Sequence, residues 1–276
     1  MAKTRLAIMY DFDKTLSTTD MQNYAFIPAL GLTPEEFWGR TTEFSKKTGC
    51  ERILSYMYVM LQAAKEKGIT VTKEFLRDCG KNIKFYPGVV DYFKRINEYG
   101  KSKGVIVEHY LVSSGTKEIV EGCEIFKEFK QAWGCEFLFE NDVPVWPKLA
   151  INYTQKTQFF YRISKGVFDL TDDAGVNEKV KEGKRRIPYR NIVYMGDGMT
   201  DIPCMTLVKK SDGKSIAVYQ RGQKKKVQEI YNEHRVDFIA YADYSEGKTI
   251  DRILKMAIDR VALDRDMAQA IKKEAQ

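Results

Sequence analysis

The sequence has only two histidines, His109 and His234, among its 276 residues. A histidine metal centre or a histidine proton relay is therefore not expected. Its five cysteines are odd in number and lack CxxC spacing, which argues against a disulfide framework and a cysteine zinc site. No apolar run approaches the ~20 residues of a membrane span, and the first residues lack the apolar core of a secretory signal. These absences predict a cytoplasmic protein with no membrane partner.

The charge pattern gives little support to nucleic-acid binding. The net charge is +7, and basic runs occur at 181–186 and 224–226. A nucleic-acid surface would interleave such charges with aromatic residues on one face, whereas the first run is mixed with acids. We therefore expect solvated surface charge and no nucleic-acid partner, although the positive charge would attract an anionic substrate.

Three short apolar runs each end in small or acidic residues: 6–10 before Asp11, 105–112 before Ser113, and 192–195 before Gly196. Short apolar runs that alternate with helical patterns are typical of buried parallel strands. The sequence therefore predicts an α/β fold with a doubly wound, mostly parallel, Rossmann-like sheet. Further strands are predicted at 215–219 and 237–240, and helices at 89–98, 116–129, 157–163, 225–234 and 249–275.

Residues 17–87 have a different character, because they read almost entirely as helices, at 21–30, 34–45, 51–67 and 73–82. This length exceeds a simple crossover, so we expect an inserted helical cap domain at 17–87 and an α/β core of 1–16 and 88–276. Residues 136–153 alternate like a hairpin with a turn at 141–142, and the polar segment 166–189 is expected to be a surface insertion without an assigned role.

Acidic residues follow two of the predicted core strands. Asp11 and Asp13 follow the first run, and Asp197 and Asp201 follow the third. Ligands of open α/β sheets bind beyond the carboxyl ends of the strands, where these acids would converge. Two carboxylates at ~4 Å repel by about 4 kcal/mol at an effective dielectric of about 20. A divalent cation would relieve this repulsion, and oxygen-only ligands favour Mg²⁺ over zinc.

Each acid taken alone is more often a turn or capping residue than a catalytic one. The joint pattern is specific: Asp-x-Asp-x-Thr at 11–15, Ser-x-Gly at 113–115, and Gly-Asp-Gly-x-x-Asp at 196–201. With the position of the helical insertion, these segments resemble the haloacid dehalogenase-like hydrolase superfamily, and within it the phosphoserine-phosphatase-like branch. The resemblance implies a phosphatase that uses Mg²⁺.

The resemblance also implies a role for each matched residue. Asp11 would be the nucleophile that forms a phospho-aspartate, and Asp13 the general acid and base. Lys156 would neutralise Asp11 and the phosphate. Asp197 would hold Mg²⁺ together with Asp11 and Asp13, and Asp201 would support the metal shell. The phosphate site would be formed by Ser113, by Thr15 and by backbone near Phe12 and Ser114.

The lysine assignment rests on spacing alone. Lys156 opens a helix after the hairpin, as the family pattern requires, but Lys165 lies on the same helix. The distance from Lys156 to Asp197 is longer than is usual in this branch, so both lysines remain candidates. Asp13 favours phosphate chemistry, because the dehalogenases of the superfamily do not need an acid at that position.

A helical lid favours a small phosphorylated metabolite as substrate. In the phosphoserine branch a cap acid and a cap arginine grip the substrate; here Asp20 and Arg52 stand nearest to that pattern, with Arg40 as a competitor. Asp20 is also a good N-cap for the helix that follows it. Alternative functions are a phosphotransferase or phosphonate-cleaving relative, or a non-catalytic RNA-binding module. The substrate and the oligomeric state are left open.

Overall fold

A computed structural model describes residues 3–181 and 183–274. Its strands are β1 (Arg5–Tyr10), β2 (Ile106–Thr116), β3 (Gln131–Glu140), β4 (Val143–Leu149), β5 (Ile192–Gly196), β6 (Lys214–Tyr219) and β7 (Phe238–Tyr241). They form a seven-stranded sheet in the order β4-β3-β2-β1-β5-β6-β7. All neighbours are parallel except β3 and β4, which pair antiparallel. The predicted doubly wound, mostly parallel α/β fold is confirmed.

Helices flank the sheet. They are α1 (Phe26–Ala29), α2 (Pro34–Thr48), α3 (Arg52–Glu66), α4 (Lys73–Gly80), α5 (Val89–Ser102), α6 (Lys117–Glu121), α7 (Thr157–Lys165), α8 (Asp173–Asn177), α9 (Ile202–Lys210), α10 (Lys224–Asn232) and α11 (Thr249–Glu274). Helices α5 and α11 pack on each other, and α11 also contacts β1 and β7. Helix α9 packs on β5 and β6 and contacts α7. Strand β1 is buried from Leu6 to Tyr10, as expected of a central strand covered on both faces.

The order of the strands creates a switch point next to β1. The chain runs from β1 outward through β2, β3 and β4 on one side, and through β5, β6 and β7 on the other. Tyr10 lies opposite Leu111 of β2 and Met195 of β5, so the three strands end at the same edge. A crevice at such a reversal of strand order is where open α/β sheets bind ligands.

Helices α1 to α4 occupy the segment between β1 and α5, where the sequence predicted an all-helical insertion. Helix α2 begins with a capping box, in which Thr33 and Glu36 bond to each other's backbone amides, and it ends at Gly49 in the left-handed conformation. The single helix predicted at 21–30 is interrupted, because a separate 3-10 turn at Met21–Asn23 precedes the short α1. The division into a core and a cap domain stays a prediction.

Two further predictions concern the hairpin of β3 and β4 and the segment that follows β2. The hairpin of β3 and β4 is present, and Asn141 and Asp142 form its turn with φ of 50° and 61°, a left-handed conformation that these residue types tolerate. The helix predicted at 116–129 is wrong, because β2 extends to Thr116 and α6 ends before Gly122. A Cβ at Gly122 would lie 1.7 Å from the carbonyl oxygen of Arg77, so close packing on α4 requires glycine there.

The polar segment before β5 contains α8 and is held in place by hydrogen bonds that involve Lys165 and Arg186. The ammonium of Lys165 donates to the carbonyl oxygens of Val176 and Glu178. Arg186 donates to both carboxylate oxygens of the buried Glu108. Within the described ranges, no helix is both long and apolar enough to cross a membrane.

Candidate active site

Asp11 is placed at the switch point by the backbone of β1. Its amide donates to the carbonyl oxygen of Met195 at 2.8 Å, which continues the pairing of β1 and β5 by one residue. The residue is 5% exposed. Burial raises the pKa of Asp11 to about 6, although the neighbouring ammonium of Lys156 opposes this rise. A carboxylate held in this way faces the crevice and needs positive charge around it.

Lys156 supplies part of that charge. Its side chain is fully buried, and its ammonium donates to Asp11 Oδ1 at 2.7 Å and to Asp201 Oδ1 at 2.8 Å. The two carboxylates hold the pKa of Lys156 above its ordinary value despite burial. Of the two lysines that the sequence left open, Lys156 therefore lies in the site, whereas Lys165 binds carbonyl groups of the segment after α7.

Asp201 organises the loop after β5. Its carboxylate accepts hydrogen bonds from the hydroxyl of Tyr194 at 2.6 Å and from the backbone amides of Asp197 and Gly198 at 3.1 and 3.3 Å. A Cβ at Gly196 would lie 2.4 Å from Asp201 Cγ, so glycine is needed where the strand ends. This network fixes the direction in which Asp197 leaves the sheet.

Three carboxylates come close enough to share a cation. Asp11, Asp197 and Asp201 each offer one oxygen, and these oxygens lie within 4.8 Å of one another. Burial, and then the charges of Asp201 and Asp11, raise the pKa of Asp197 to about 7. The set is built from oxygen ligands alone, which suits Mg²⁺. Its uncompensated charge is what a divalent cation would neutralise.

The carboxylate of Asp13 is not part of this group of three and contacts the helical insertion. Its Oδ1 accepts a hydrogen bond from the backbone amide of Met21 at 2.8 Å, at the start of the helical insertion. Burial, followed by the charges of Asp20 and Asp11, raises the pKa of Asp13 well above its ordinary value. The sequence placed Asp13 among the metal ligands; the structure groups the other three carboxylates and leaves Asp13 protonated more readily than a surface acid.

The two serines after β2 differ in position. Ser114 lines the crevice, and its buried hydroxyl has no hydrogen-bond partner among the described residues. The hydroxyl of Ser113 is also buried but accepts from the amide of Gly115 at 2.9 Å. Thr15 donates to Asp11 Oδ2 at 3.3 Å. Ser114 is thus the serine of the crevice wall, and its hydroxyl makes no hydrogen bond within the described residues, whereas the hydroxyl of Ser113 already accepts one.

The helical insertion contributes two of the expected substrate residues to the same crevice, which encloses about 730 Å³. Asp20 lies at the N-cap position of the 3-10 turn, but its side chain caps nothing and pairs with the ammonium of Lys14 at 2.7 and 2.8 Å. Arg52 lines the crevice at the start of α3. Arg40 instead pairs with Glu66 on the surface, so it does not compete for this place.

Comparison with known proteins supports this architecture. No protein-family model matches the sequence. An uncharacterized protein of Borreliella burgdorferi is 28% identical over 271 residues, which cover 88% of this chain and 92% of the relative. A HAD family hydrolase from Salmonella enterica serovar Typhi superposes with a TM-score of 0.58 at 15% identity, over 90% of this chain and 69% of its own. A phosphoserine phosphatase in its apo form superposes with a TM-score of 0.56 at 18% identity, over 91% and 98%.

The chain has the HAD hydrolase fold. The resemblance read from the three sequence motifs is confirmed at this level, because the similar structures include both HAD-family hydrolases and phosphoserine phosphatases. At identities this low the likeness concerns the fold, and the roles of individual residues rest on the geometry of this chain.

Three residues of the crevice were missed in the sequence analysis. Lys226 was read as solvated surface, yet its ammonium lies 4.0 Å from Asp197 Oδ2. Tyr56, which the sequence analysis did not single out, donates its hydroxyl proton to the carbonyl oxygen of Ser114 at 2.8 Å. Gln22 is buried and lines the crevice beside Ser114 and Gly115. No pattern in the sequence distinguishes these three from ordinary surface or core residues.

Proposed function

We propose that this protein is a Mg²⁺-dependent phosphatase that hydrolyses small phosphomonoesters through a phospho-aspartate on Asp11. The observation that carries the proposal is the buried ammonium of Lys156 between Asp11 and Asp201, with an oxygen of Asp197 in the same cluster. A carboxylate becomes a useful nucleophile toward a phosphate dianion only when positive charge screens both partners. This cluster meets that requirement.

The cluster also fits a cation. Three carboxylates share one ammonium, and burial, with a smaller contribution from the neighbouring acids, raises the pKa values of Asp11 and Asp197 to about 6 and about 7. Asp11, Asp197 and Asp201 would hold Mg²⁺, which when bound supplies charge to stabilise the transferring phosphoryl group.

The proposed reaction uses Asp11 as nucleophile and Asp13 as general acid and base. A carboxylate oxygen of Asp11 attacks phosphorus, and the bond from phosphorus to the leaving oxygen breaks. Asp13 gives its proton to that oxygen, so an alcohol departs. Asp13, now ionised, takes a proton from water as the water attacks the phospho-aspartate, which releases inorganic phosphate and restores both residues. The raised pKa of Asp13 suits the protonated starting state.

Hydrogen-bond donors complete the phosphate site. The ammonium of Lys156 is close to the nucleophile, and we assign the unpartnered hydroxyl of Ser114 to a phosphoryl oxygen. Thr15 orients Asp11, and Ser113 holds the turn at Gly115. Phosphoryl transfer depends mainly on such positioning and charge stabilisation.

The helical insertion supports a small substrate. Helices α2 and α3 contribute Trp38, Thr41 and Arg52 to the wall of the crevice, so a ligand there is covered from the side opposite the sheet. A covered site excludes water and large phosphoproteins. We assign Arg52 to an anionic group of the substrate and Asp20 to the wall beside the leaving group, and we expect the enzyme to work in the cytoplasm.

The test is hydrolysis of p-nitrophenyl phosphate with and without Mg²⁺. We expect turnover that requires Mg²⁺, is abolished in Asp11→Asn, and persists in Asp78→Asn, which changes an exposed acid far from the crevice. Rapid quenching of the wild-type reaction should give a chain heavier by one phosphoryl group. Turnover that survives Asp11→Asn, or that ignores removal of the metal, would contradict the proposal.

A further inference from the structure

Tyr194 buries a hydroxyl group in the middle of an otherwise apolar strand. It lies on β5 between Val193 and Met195 and is 0% exposed. Its hydroxyl donates to Asp201 Oδ1 at 2.6 Å, since an ionised carboxylate can only accept. A phenylalanine would occupy the same space without burying a polar group, which costs free energy unless the group is hydrogen-bonded. The bond to Asp201 is thus what the hydroxyl contributes at this position.

The fit of Asp201 against β5 depends on two residues of the same strand face. Side chains two positions apart point to the same side of a strand, so Tyr194 and Gly196 both face Asp201. The glycine makes room, because a Cβ there would lie 2.4 Å from Asp201 Cγ. Tyr194 holds Oδ1, while the amides of Asp197 and Gly198 hold Oδ2 at 3.1 and 3.3 Å. The orientation of the carboxylate is thereby fixed through both of its oxygens.

Asp201 Oδ1 is shared between Tyr194 and Lys156. The ammonium of Lys156 donates to this oxygen at 2.8 Å and to Asp11 Oδ1 at 2.7 Å. The four side chains form a continuous series of hydrogen bonds from the interior of β5 to Asp11. Tyr194, Asp201 and Lys156 are all fully buried, so bulk water does not replace a donor that is removed from this series.

The position of the ammonium depends on how strongly each carboxylate attracts it. A lysine has a flexible four-carbon stem, so its own geometry does not fix the ammonium. A hydrogen bond donated to a carboxylate stabilises its negative charge, which makes the oxygen a weaker acceptor for a second donor. The bond from Tyr194 therefore reduces the pull of Asp201 on Lys156. Without it, we expect the ammonium to move toward Asp201 and away from Asp11.

We infer that Tyr194 is a positioning residue of the active site, whose hydroxyl fixes Asp201 and thereby keeps the ammonium of Lys156 on Asp11. This inference rests on the proposed phosphatase function and deepens it. Tyr194 lies outside the wall of the crevice, so it acts through these side chains and not by contact with the substrate. Its hydroxyl affects the rate of phosphoryl transfer and leaves substrate binding unchanged.

The test compares two buried tyrosines, each changed to phenylalanine in the whole chain. Tyr194→Phe removes the hydroxyl next to Asp201. Tyr110→Phe is the matched control, because Tyr110 is also fully buried on a core strand and donates at 2.6 Å to a buried carboxylate, that of Glu108. Glu108 lies outside the wall of the crevice. Both changes remove the same kind of bond, and only the first removes it from the series that ends at the nucleophile.

The measurement is a single turnover of p-nitrophenyl phosphate with Mg²⁺ and a saturating excess of enzyme. Under this condition the rate constant for release of p-nitrophenol is that of phosphoryl transfer to Asp11, whatever fraction of the chain is active. A merely structural role would reduce the active fraction and leave this rate constant unchanged. Urea denaturation of both variants measures the loss of stability separately.

We expect the rate constant to fall about 10- to 100-fold in Tyr194→Phe, as for loss of a residue that orients an active-site ligand, with little change in the enzyme concentration that gives saturation. Tyr110→Phe should keep the wild-type rate constant. An unchanged rate constant in Tyr194→Phe would overturn the inference, as would an equal fall in Tyr110→Phe. A Tyr194→Phe chain that fails to fold would assign the hydroxyl to stability alone and would overturn it as well. Failure of the proposed function has a different signature, namely no Mg²⁺-dependent release of p-nitrophenol by the wild type, or release that survives Asp11→Asn.

Discussion

Replacing Lys156 with methionine removes the buried ammonium of the site while keeping a side chain of similar length. The ammonium contacts Asp11 at 2.7 Å and Asp201 at 2.8 Å, and its side chain is fully buried. The variant therefore leaves two buried carboxylates without their shared cation. We expect the variant to lose both catalytic activity and folding stability.

The free energy of unfolding should fall by about 3–5 kcal/mol at pH 7, which is the usual cost of removing one partner from a buried ion pair. The direct attraction is about 4 kcal/mol per pair at ~4 Å and an effective dielectric of about 20, but desolvation of the lysine offsets part of it. Asp11 would lose the ammonium that opposes the rise of its pKa, so it would bind a proton more readily than in the unfolded chain. Since a folded-state pKa above the unfolded value favours folding at low pH, the deficit should be smaller at pH 5 than at pH 7.5.

The assay pairs urea denaturation at pH 5 and 7.5 with turnover of p-nitrophenyl phosphate. Activity of Lys156→Met should fall at least about 10²-fold, as for loss of one oriented charge at a phosphoryl-transfer site. The control is Lys165→Met, because Lys165 lies on the same helix but binds only carbonyl groups of Val176 and Glu178. The control should lose at most about 1 kcal/mol and remain active. A larger loss of turnover or stability in Lys165→Met than in Lys156→Met would refute this role of Lys156. A Lys156→Met variant that unfolds no more easily than the wild type would also refute it.

Three other predictions concern separate parts of the molecule. Ser114→Ala should lower kcat about 10²-fold and Ser113→Ala much less, because Ser114 belongs to the crevice wall and its hydroxyl makes no hydrogen bond within the described residues, whereas Ser113 already accepts from the amide of Gly115; equal losses would contradict this. Mg²⁺ should raise the melting temperature more at pH 8 than at pH 5, since the cation binds ionised carboxylates and the pKa values of Asp11 and Asp197 are raised to about 6 and about 7; a shift independent of pH would argue against this site. Burial lowers the pKa of His109 to about 3, so stability should fall by up to about 1.4 kcal/mol per pH unit as pH drops from 6.5 toward 3, and denaturation of His109→Gln should show a shallower slope.

The core strands could be predicted from the sequence because buried parallel strands appear as short, continuous apolar runs. Strands β1 and β5 are continuous apolar runs that end in Asp11 and Gly196, and their parallel pairing follows from the helices between them. The failures lie where tertiary contacts override local preference. The helix predicted at 116–129 breaks at Gly122, whose close approach to the backbone of Arg77 no local pattern reveals.

The site divides in the same way. Asp11 and Asp201 could be identified from the sequence because each is an acid in a recognisable motif that follows a predicted strand. Gln22 and Lys226 were missed because their importance depends on which way a side chain turns. Lys226 belongs to a basic run that resembles any solvated helix start, and only folding brings it within 4.0 Å of Asp197.

The balance of charge explains why the proposed chemistry needs a fixed lysine and an exchangeable cation together. Lys156 is held by two hydrogen bonds and is fully buried, so it is a permanent part of the site and compensates one of the three clustered carboxylates. A phosphate dianion would add negative charge to a place that already has an excess, and Lys226, 45% exposed, is too loosely held to offset it. If the proposed chemistry holds, the substrate binds productively only together with a divalent cation, because Asp11 and Asp201 are buried and Asp197 shares their cluster, irrespective of which alcohol carries the phosphate.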